Sequence, residues 1–272
     1  MTDILKEKHQ LFVTFMSFHE ELLKTQVKTM QHLIAIIPFQ KLNGINAAEK
    51  LNHGESLISS QNFLLEDKDV EHVFDQLLPV IKKYHPSDDL NRLEDLYDKR
   101  RINLRTLAIA TVQHDVHTFK NLGEKYDLPD HFLEKVSELL ASPYLELCSE
   151  FFMKAIAANK WNRHTCPVCG NHPRMGSTND LQNRRLLWCH VCSTEWEFEL
   201  TTCPFCLNDD PKSIKYIFPP DHSAHRIDAC DNCNHYIKII DAAMTSTQSN
   251  FTIDYLSTFP LDVIAIQNGY HL

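Results

Sequence analysis

Eight of the nine cysteines in this 272-residue chain occur as four C-x-x-C pairs, all between Cys166 and Cys233. Each pair places two sulfur atoms on one turn, and two such turns can surround a metal ion with four metal–sulfur bonds of about 2.3 Å. The ninth cysteine, Cys148, stands alone. The pattern therefore predicts two four-cysteine metal sites. Their predicted ligands are Cys166, Cys169, Cys189, Cys192, Cys203, Cys206, Cys230 and Cys233.

The spacing of the pairs indicates how they combine. Successive pairs are separated by 19, 10 and 23 residues. If the first pair joins the second and the third joins the fourth, the first spacing is typical of metal ribbons and the second is slightly long. An interleaved arrangement, in which the first pair joins the third and the second joins the fourth, is the open alternative.

The residue after each pair bears on the regularity of the turn. In a cysteine knuckle this residue often takes a left-handed backbone conformation, which glycine and asparagine tolerate best. Gly170 and Asn234 suit that position, whereas Ser193 and Leu207 suit it poorly. We therefore expect the second and third knuckles to be less regular than the other two.

Four thiolates limit the chemistry that such a site can perform. Tetrahedral sulfur suits zinc and iron alike, and iron would add redox activity. A closed site leaves no coordination position for water, so metal-assisted hydrolysis is not expected. A thiol–disulfide enzyme would instead need a metal-free pair of low pKa. The expected cofactors are two metal ions, iron or zinc, and no catalytic residue is predicted.

Residues 1 to about 160 show the apolar spacing of helices and contain no phosphate-binding loop or nucleophile elbow. The first helix is predicted to end near Pro38, because proline disfavours helix in the residue before it. Asp69 is predicted as an N-cap, and Pro143 as the first turn of a later helix. A helical bundle is therefore expected here. Its first apolar stripe consists of Leu11, Phe15, Phe18 and Leu22.

The composition changes near residue 160 to turn-rich, strand-prone sequence, and helical spacing returns after about residue 250. The predicted class is α+β: an N-terminal all-helical bundle, two small rubredoxin-like or zinc-ribbon modules and a C-terminal helix. The predicted strands are 186–188, 195–200, 215–218 and 236–240. The predicted domains are 1–160 (helical), 161–202 and 203–245 (one four-cysteine module each) and 246–272 (a helix packing back on the core).

The net charge and the hydropathy of the chain indicate which class of partner to expect and in which cell compartment the protein lies. A formal net charge of −9 argues against a nucleic-acid binder, which usually presents a basic face. No apolar stretch approaches the roughly 20 residues that span a bilayer, and the charged first residues do not have the apolar core of a signal peptide. The cysteine pairs then indicate reduced thiolates, so we expect a cytoplasmic protein without a membrane span.

Several segments resemble one known family, the formate dehydrogenase accessory proteins, FdhE. The similarity covers about residues 160 to 270, whereas over the helical first half it is only architectural. The segments that carry it are Cys-Pro-Val-Cys-Gly (166–170), Trp-Cys-His-Val-Cys-Ser-Thr-Glu-Trp (188–196), Cys-Pro-Phe-Cys (203–206), Arg-Ile-Asp-Ala-Cys-Asp-Asn-Cys-Asn-His-Tyr-Ile-Lys (226–238) and Asp-Tyr-Leu-Ser-Thr-Phe-Pro-Leu-Asp (254–262) followed by Gly-Tyr (269–270).

The resemblance implies a cytoplasmic, non-enzymatic protein that assists maturation of respiratory formate dehydrogenases by binding the catalytic subunit before its export. It also implies a helical domain followed by two rubredoxin-like modules, each with one metal ion, described for the family as iron. The first half is shorter than is usual in the family, and the expected arginine-rich stretch is absent unless 97–101 replaces it. A related molybdenum- or tungsten-dependent enzyme is therefore an alternative partner. A nucleic-acid-binding zinc-ribbon protein and a rubredoxin-like redox protein are the alternative functions.

Overall fold

The computed structural model describes residues 3–159, 161–179, 184–219, 224–245 and 250–272. In these residues, seven α-helices precede six β-strands, and two helices follow, so the predicted α+β class is confirmed. The helices are α1 (Asp3–Ile36), α2 (Ala47–His53), α3 (Asp67–Tyr84), α4 (Asp88–Asp98), α5 (Leu104–Gln113), α6 (Val116–Tyr126), α7 (Asp130–Ala158), α8 (Phe251–Ser257) and α9 (Phe259–Gln267). The strands are β1 (Met175–Asn179), β2 (Arg184–Trp188), β3 (Glu195–Glu199), β4 (Ile214–Ile217), β5 (His225–Cys230) and β6 (Tyr236–Asp241).

The chain divides into two compact units. The first comprises Met1–Ile45 and Ile58–Leu147, and the second comprises Asn46–Leu57 and Cys148–Leu272. In the first unit, α3 packs against α1 and α5. Leu33 of α1, Leu77 of α3 and Leu107 of α5 are almost completely buried. Burying side chains of this size contributes about 1.5–3 kcal/mol each, which explains why these helices pack together.

The helix boundaries test three predictions made from local sequence. Helix α1 ends at Ile36, just before Pro38, as predicted. Asp69 is not the N-cap of α3; it is the third helical residue, and it accepts a hydrogen bond from the backbone N–H of Glu66, the true N-cap. Pro143 does not begin a helix, because α7 runs through it from Asp130 to Ala158. No helix in the described ranges combines the length and apolarity that crossing a bilayer requires.

The second unit is built on one six-stranded sheet with the order β3-β2-β1-β6-β5-β4. The first three strands pair antiparallel with their neighbours in sequence, and so do the last three. A parallel pair joins the two groups, with Met175 of β1 opposite Lys238 of β6 and Thr178 opposite Asp241. The two cysteine-rich segments therefore form a single continuous sheet.

The two C-terminal helices cover apolar parts of this sheet. Leu261 and Ala265 of α9 pack into a buried cluster from β5 and β6. Phe251 of α8 lies nearly parallel to the ring of Trp188, with a centroid distance of 6.0 Å. Trp188 is therefore part of the core of this unit and is not an exposed platform.

Four of the six strands were predicted within a few residues of their observed bounds, as β2, β3, β4 and β6. β1 and β5 were not predicted. β1 contains glycine and three polar residues, and β5 begins with two basic residues and carries Asp228 in its middle. Neither strand shows the alternation of apolar and polar residues that identifies a strand from sequence.

Candidate metal centres

The first cysteine group lies where the first two knuckles meet. Cys166, Cys169, Cys189 and Cys192 are all buried, and their sulfur atoms lie within 4.8 Å of one another. The Sγ–Sγ distance is 3.4 Å between Cys166 and Cys192. It is 3.5 Å from Cys169 to both Cys189 and Cys192.

The second group has the same composition but is more open. Its members are Cys203, Cys206, Cys230 and Cys233, of which Cys206 and Cys233 are half-buried. The Sγ–Sγ distance is 3.7 Å between Cys203 and Cys233 and 3.8 Å between Cys206 and Cys230. The first and second pairs therefore combine, as do the third and fourth, and the interleaved arrangement is not the one observed.

These distances fit the geometry of a tetrahedral metal–thiolate site. With metal–sulfur bonds of about 2.3 Å, neighbouring sulfur atoms lie about 3.8 Å apart. None of the nine cysteines forms a disulfide. Each group could thus hold one metal ion in a closed shell of four sulfurs.

The four knuckles share one backbone turn. The residue after the second cysteine has a positive φ in every case, with 77° at Gly170, 55° at Ser193, 61° at Leu207 and 57° at Asn234. Its N–H donates to the carbonyl of the first cysteine at 2.8–3.1 Å. The prediction that knuckles two and three would be irregular is therefore wrong. The turn is maintained even where a side chain makes its conformation costly, by about 1–2 kcal/mol.

Comparison with known proteins connects this arrangement to a family. The family model described as “FdhE, central domain” matches residues 165–199, a range that contains all four cysteines of the first group. A protein named “Protein FdhE homolog” from Aquifex aeolicus (strain VF5) is 38% identical over 114 residues, which are 41% of this chain and 40% of that protein. The chain is similar to FdhE proteins.

Further similarities extend over more of the chain. The “Protein FdhE homolog” of Haemophilus ducreyi (strain 35000HP / ATCC 700724) is 25% identical over 234 residues, covering 83% of this chain and 72% of that protein. “Protein FdhE” of Escherichia coli (strain K12) is 30% identical over 119 residues, 43% of this chain and 38% of its own. The matches to the Aquifex and Escherichia proteins thus span about two fifths of those relatives' lengths.

A solved structure shows that the fold is shared. The crystal structure of the FdhE protein from Pseudomonas aeruginosa aligns with a TM-score of 0.54. The alignment covers 94% of this chain and 92% of that one, at 18% sequence identity. The fold of the FdhE protein therefore extends over both compact units of this chain.

Polar groups contact the sulfur atoms of both clusters. The Asn171 amide donates to Cys169 Sγ, and the Asn232 amide donates to Cys206 Sγ, each at 3.4 Å. Thr194 Oγ1 lies 3.0 Å from Cys192 Sγ. Donors at such positions stabilise negative charge on sulfur and orient the ligands.

The thiols within each group differ in pKa. Burial raises the pKa of Cys206, but hydrogen bonds led by the Asn232 amide outweigh it and lower this pKa to about 7. Burial raises the pKa of Cys203 to about 11 and also raises the pKa of Cys189 and Cys192. Without a metal ion, therefore, four thiolates do not coexist near neutral pH. Metal binding in either group is expected to release protons.

A buried charge network lies beside the second group. The local sequence does not reveal it, because a short basic run such as Arg184-Arg185 usually lies on a solvated face. Arg185 is only 3% exposed and contacts Asp228 at 3.7 Å, while Arg226 donates to the same carboxylate at 2.7 Å. Arg185 also donates to the carbonyl of Thr202, the residue before Cys203. A buried cation at this position would offset part of the negative charge of four thiolates that hold a metal ion.

A row of rings connects the knuckles of the two groups. Phe205 lies 5.7 Å from His172 and 4.9 Å from His235, measured between ring centroids. His164 extends the row at one end and His271 at the other, at 5.5 Å and 4.2 Å from their neighbours. His172 follows the first knuckle, Phe205 lies within the third, and His235 follows the fourth. Side-chain packing thus links the two cysteine groups across the sheet.

Proposed function

We propose that this protein belongs to the FdhE family, that it is an accessory protein for the maturation of a respiratory formate dehydrogenase, and that it binds the catalytic subunit of that enzyme in the cytoplasm. The observation that carries the proposal is the pair of closed four-cysteine groups within one continuous sheet, in a chain that is similar to FdhE proteins. A site closed by four sulfurs has no open position for a substrate. A binding role therefore suits these centres better than hydrolysis, and the protein is proposed to be no enzyme.

We further propose that each group holds one metal ion, iron or zinc. The proposed ligands are Cys166, Cys169, Cys189 and Cys192 for one ion and Cys203, Cys206, Cys230 and Cys233 for the other. Metal analysis of protein prepared without oxygen identifies the element. Iron in sulfur coordination adds a visible absorption band that bleaches on reduction, whereas zinc gives none.

The partner is tested by affinity capture from native cell extract under anaerobic, reducing conditions, with the captured proteins identified by mass spectrometry. The expected result is recovery of a formate dehydrogenase catalytic subunit, or of a related molybdenum or tungsten enzyme. The Cys166→Ser chain is expected to lose this partner because its first site is broken. The Cys148→Ala chain is the matched control, because Cys148 belongs to neither group.

Three results would contradict the proposal. Recovery of ribosomes or RNA polymerase would move the function to nucleic-acid binding, and that binding would weaken steeply with salt. Recovery of no enriched partner would leave the accessory role without support. Equal capture of the partner by the Cys166→Ser chain would separate partner binding from the first cysteine group.

A further inference from the structure

Strand β3 forms one edge of the sheet. It pairs with β2 on one side, and on its other side the backbone makes no hydrogen bond within the described residues. Trp196 and Phe198 are buried, whereas Glu195, Glu197 and Glu199 alternate with them on the opposite face. This edge therefore offers unpaired backbone N–H and C=O groups next to three carboxylates.

The three carboxylates differ in whether a cation lies next to them. Arg184 lies 3.2 Å from Glu197 and 3.4 Å from Glu199. The carboxyl group of Glu195 has no hydrogen bond or ion pair in the part of the chain that the structure describes. Although Glu195 reaches solvent, partial burial raises the pKa of its carboxyl. The protein thus partly removes this charge from water without supplying a cation.

An open groove of about 720 Å³ lies along the end of α7 and the β2–β3 hairpin. Apolar side chains line this groove together with Glu195, Glu197 and Arg184. Because Arg184 already pairs with Glu197, Glu195 is the carboxylate that suits a side chain with an apolar stem and a positive end, as in lysine and arginine. The apolar and acidic side chains that line the groove include Ile156, Trp161, Leu186, Trp196, Glu195 and Glu197.

We propose that the outer edge of β3 and this groove bind an extended, basic segment of the partner protein as an added strand. Backbone hydrogen bonds to β3 supply affinity, and alternate side chains supply specificity. A lysine or arginine of the segment pairs with Glu195, and apolar side chains enter the groove. The inference rests on the proposed accessory function, for which it identifies a contact surface.

Charge distinguishes this occupant from a second copy of the chain. Two β3 edges paired with each other would bring glutamates together, and like charges on facing strands are destabilising. The opposite edge, β4, carries Lys215, but that ammonium already contacts Asp231 at 3.5 Å. A basic segment from another protein is therefore the better complement to the acidic edge.

The test uses the full, metal-loaded chain and a fluorescent octapeptide of alternating lysine and valine, with binding followed by anisotropy. We expect one peptide per chain and about fivefold weaker binding to the Glu195→Gln variant. Because the whole protein is acidic, Glu150→Gln is the matched control. Glu150 is exposed on α7, so the same charge change there should leave affinity within twofold.

A second peptide separates strand addition from charge attraction alone. The same octapeptide with a methyl group on every backbone nitrogen keeps its charge but has no N–H on either edge to donate to β3. We expect it to bind at least tenfold more weakly, about the effect of losing one or two backbone hydrogen bonds. Equal binding of both peptides, or equal weakening by Glu150→Gln and Glu195→Gln, would overturn the proposal. So would a dimer of the chain that competes with the peptide.

Failure of this inference is distinguishable from failure of the accessory role. Capture of the catalytic subunit by the unaltered chain tests the accessory role, whereas the comparison of the two peptides tests binding at the β3 edge. If the catalytic subunit is captured equally by the unaltered and Glu195→Lys chains, the β3 edge is not its contact and only this inference fails. If capture by Glu195→Lys is lost while its metal content is unchanged, the edge is the contact.

Discussion

Lys238 Nζ lies 2.9 Å from Asp262 Oδ2, although the lysine side chain is completely buried. The same ammonium donates to the carbonyl of Tyr255 at 2.8 Å, and the Tyr236 hydroxyl donates to the other oxygen of Asp262 at 2.8 Å. Burial lowers the pKa of Lys238, and the neighbouring Asp262 opposes this shift. One carboxylate of α9 thus satisfies two polar groups of β6.

Replacing Asp262 with alanine should lower the free energy of unfolding by about 3 kcal/mol, because it leaves a buried ammonium without its anion. Urea unfolding followed by circular dichroism, in excess metal, measures this. The Lys238→Met, Asp262→Ala double variant should recover part of the loss. Glu20→Ala, which breaks the exposed Lys24–Glu20 pair, should cost no more than about 0.5 kcal/mol. A loss below about 1 kcal/mol for Asp262→Ala would contradict the interpretation.

Serine in place of Cys166 or Cys203 should reduce the metal content from about two ions per chain to about one, because each ion needs four thiolates. Elemental analysis after gel filtration measures the ratio. The Cys148→Ala chain should keep both ions, since Cys148 is outside both groups. If the Cys203→Ser chain kept two ions, the assignment of that ligand would be wrong.

Glycine in place of Leu207 should stabilise the third knuckle. Leu207 has a φ of 61° and is 52% exposed, so its side chain strains the turn and buries little apolar surface. The gain is expected to be at most about 1 kcal/mol, because the flexibility of glycine in the unfolded chain offsets part of it. Slower metal release to a chelator would report this gain. Leu207→Ala keeps the strain and should not slow release.

Acid should destabilise the first unit through His19. Burial and the nearby His85 lower the pKa of His19 to about 4. As the pH falls below about 6.5, His19 binds a proton in the unfolded chain but stays neutral in the folded chain. The free energy of unfolding therefore decreases as the pH falls from about 6.5 to 4. In His19→Leu this loss should be smaller, measured as the difference in unfolding free energy from the unaltered chain at each pH.

Alanine in place of Phe205 should release the second metal ion faster, by about fivefold, because the ring contacts on both sides of the third knuckle are lost. Transfer of metal to a coloured chelator measures the rate. Phe218 is the matched control, since it is 63% exposed in the same region. Equal rates for Phe205→Ala and Phe218→Ala would show that the ring row does not support the site.

The cysteine groups could be predicted because each knuckle is a local turn and its spacing is visible in the sequence. The strands β2, β3, β4 and β6 could be predicted because aromatic and branched residues mark them. The predictions of an N-cap at Asp69 and of a helix start at Pro143 are wrong. Pro143 lies within α7 beside Tyr144 and Leu145, both fully buried, so packing maintains the helix against the local preference.

The remaining strands depend on contacts between distant residues. β5 looks like a charged loop, but Asp228 is buried because Arg226 and Arg185 contact it from within the fold. β1 lies between β2 and β6 so closely that a Cβ on Gly176 would approach the carbonyl oxygen of Leu186 to 2.8 Å. The small size of this residue is explained only by strands on both sides of it, and those are not apparent from its local sequence.

The parallel pair of β1 and β6 also sets an order of events during synthesis. These strands lie at the centre of the sheet, yet about 60 residues of chain separate Met175 from its partner Lys238. The last ligand of the first group leaves the ribosome about 40 residues before the last ligand of the second. The first cysteine group is therefore complete in a nascent chain whose sheet is still open along its inner edge. The central pairing requires the longest loop closure in the sheet, and it becomes possible only after all eight cysteines of the two groups have been translated.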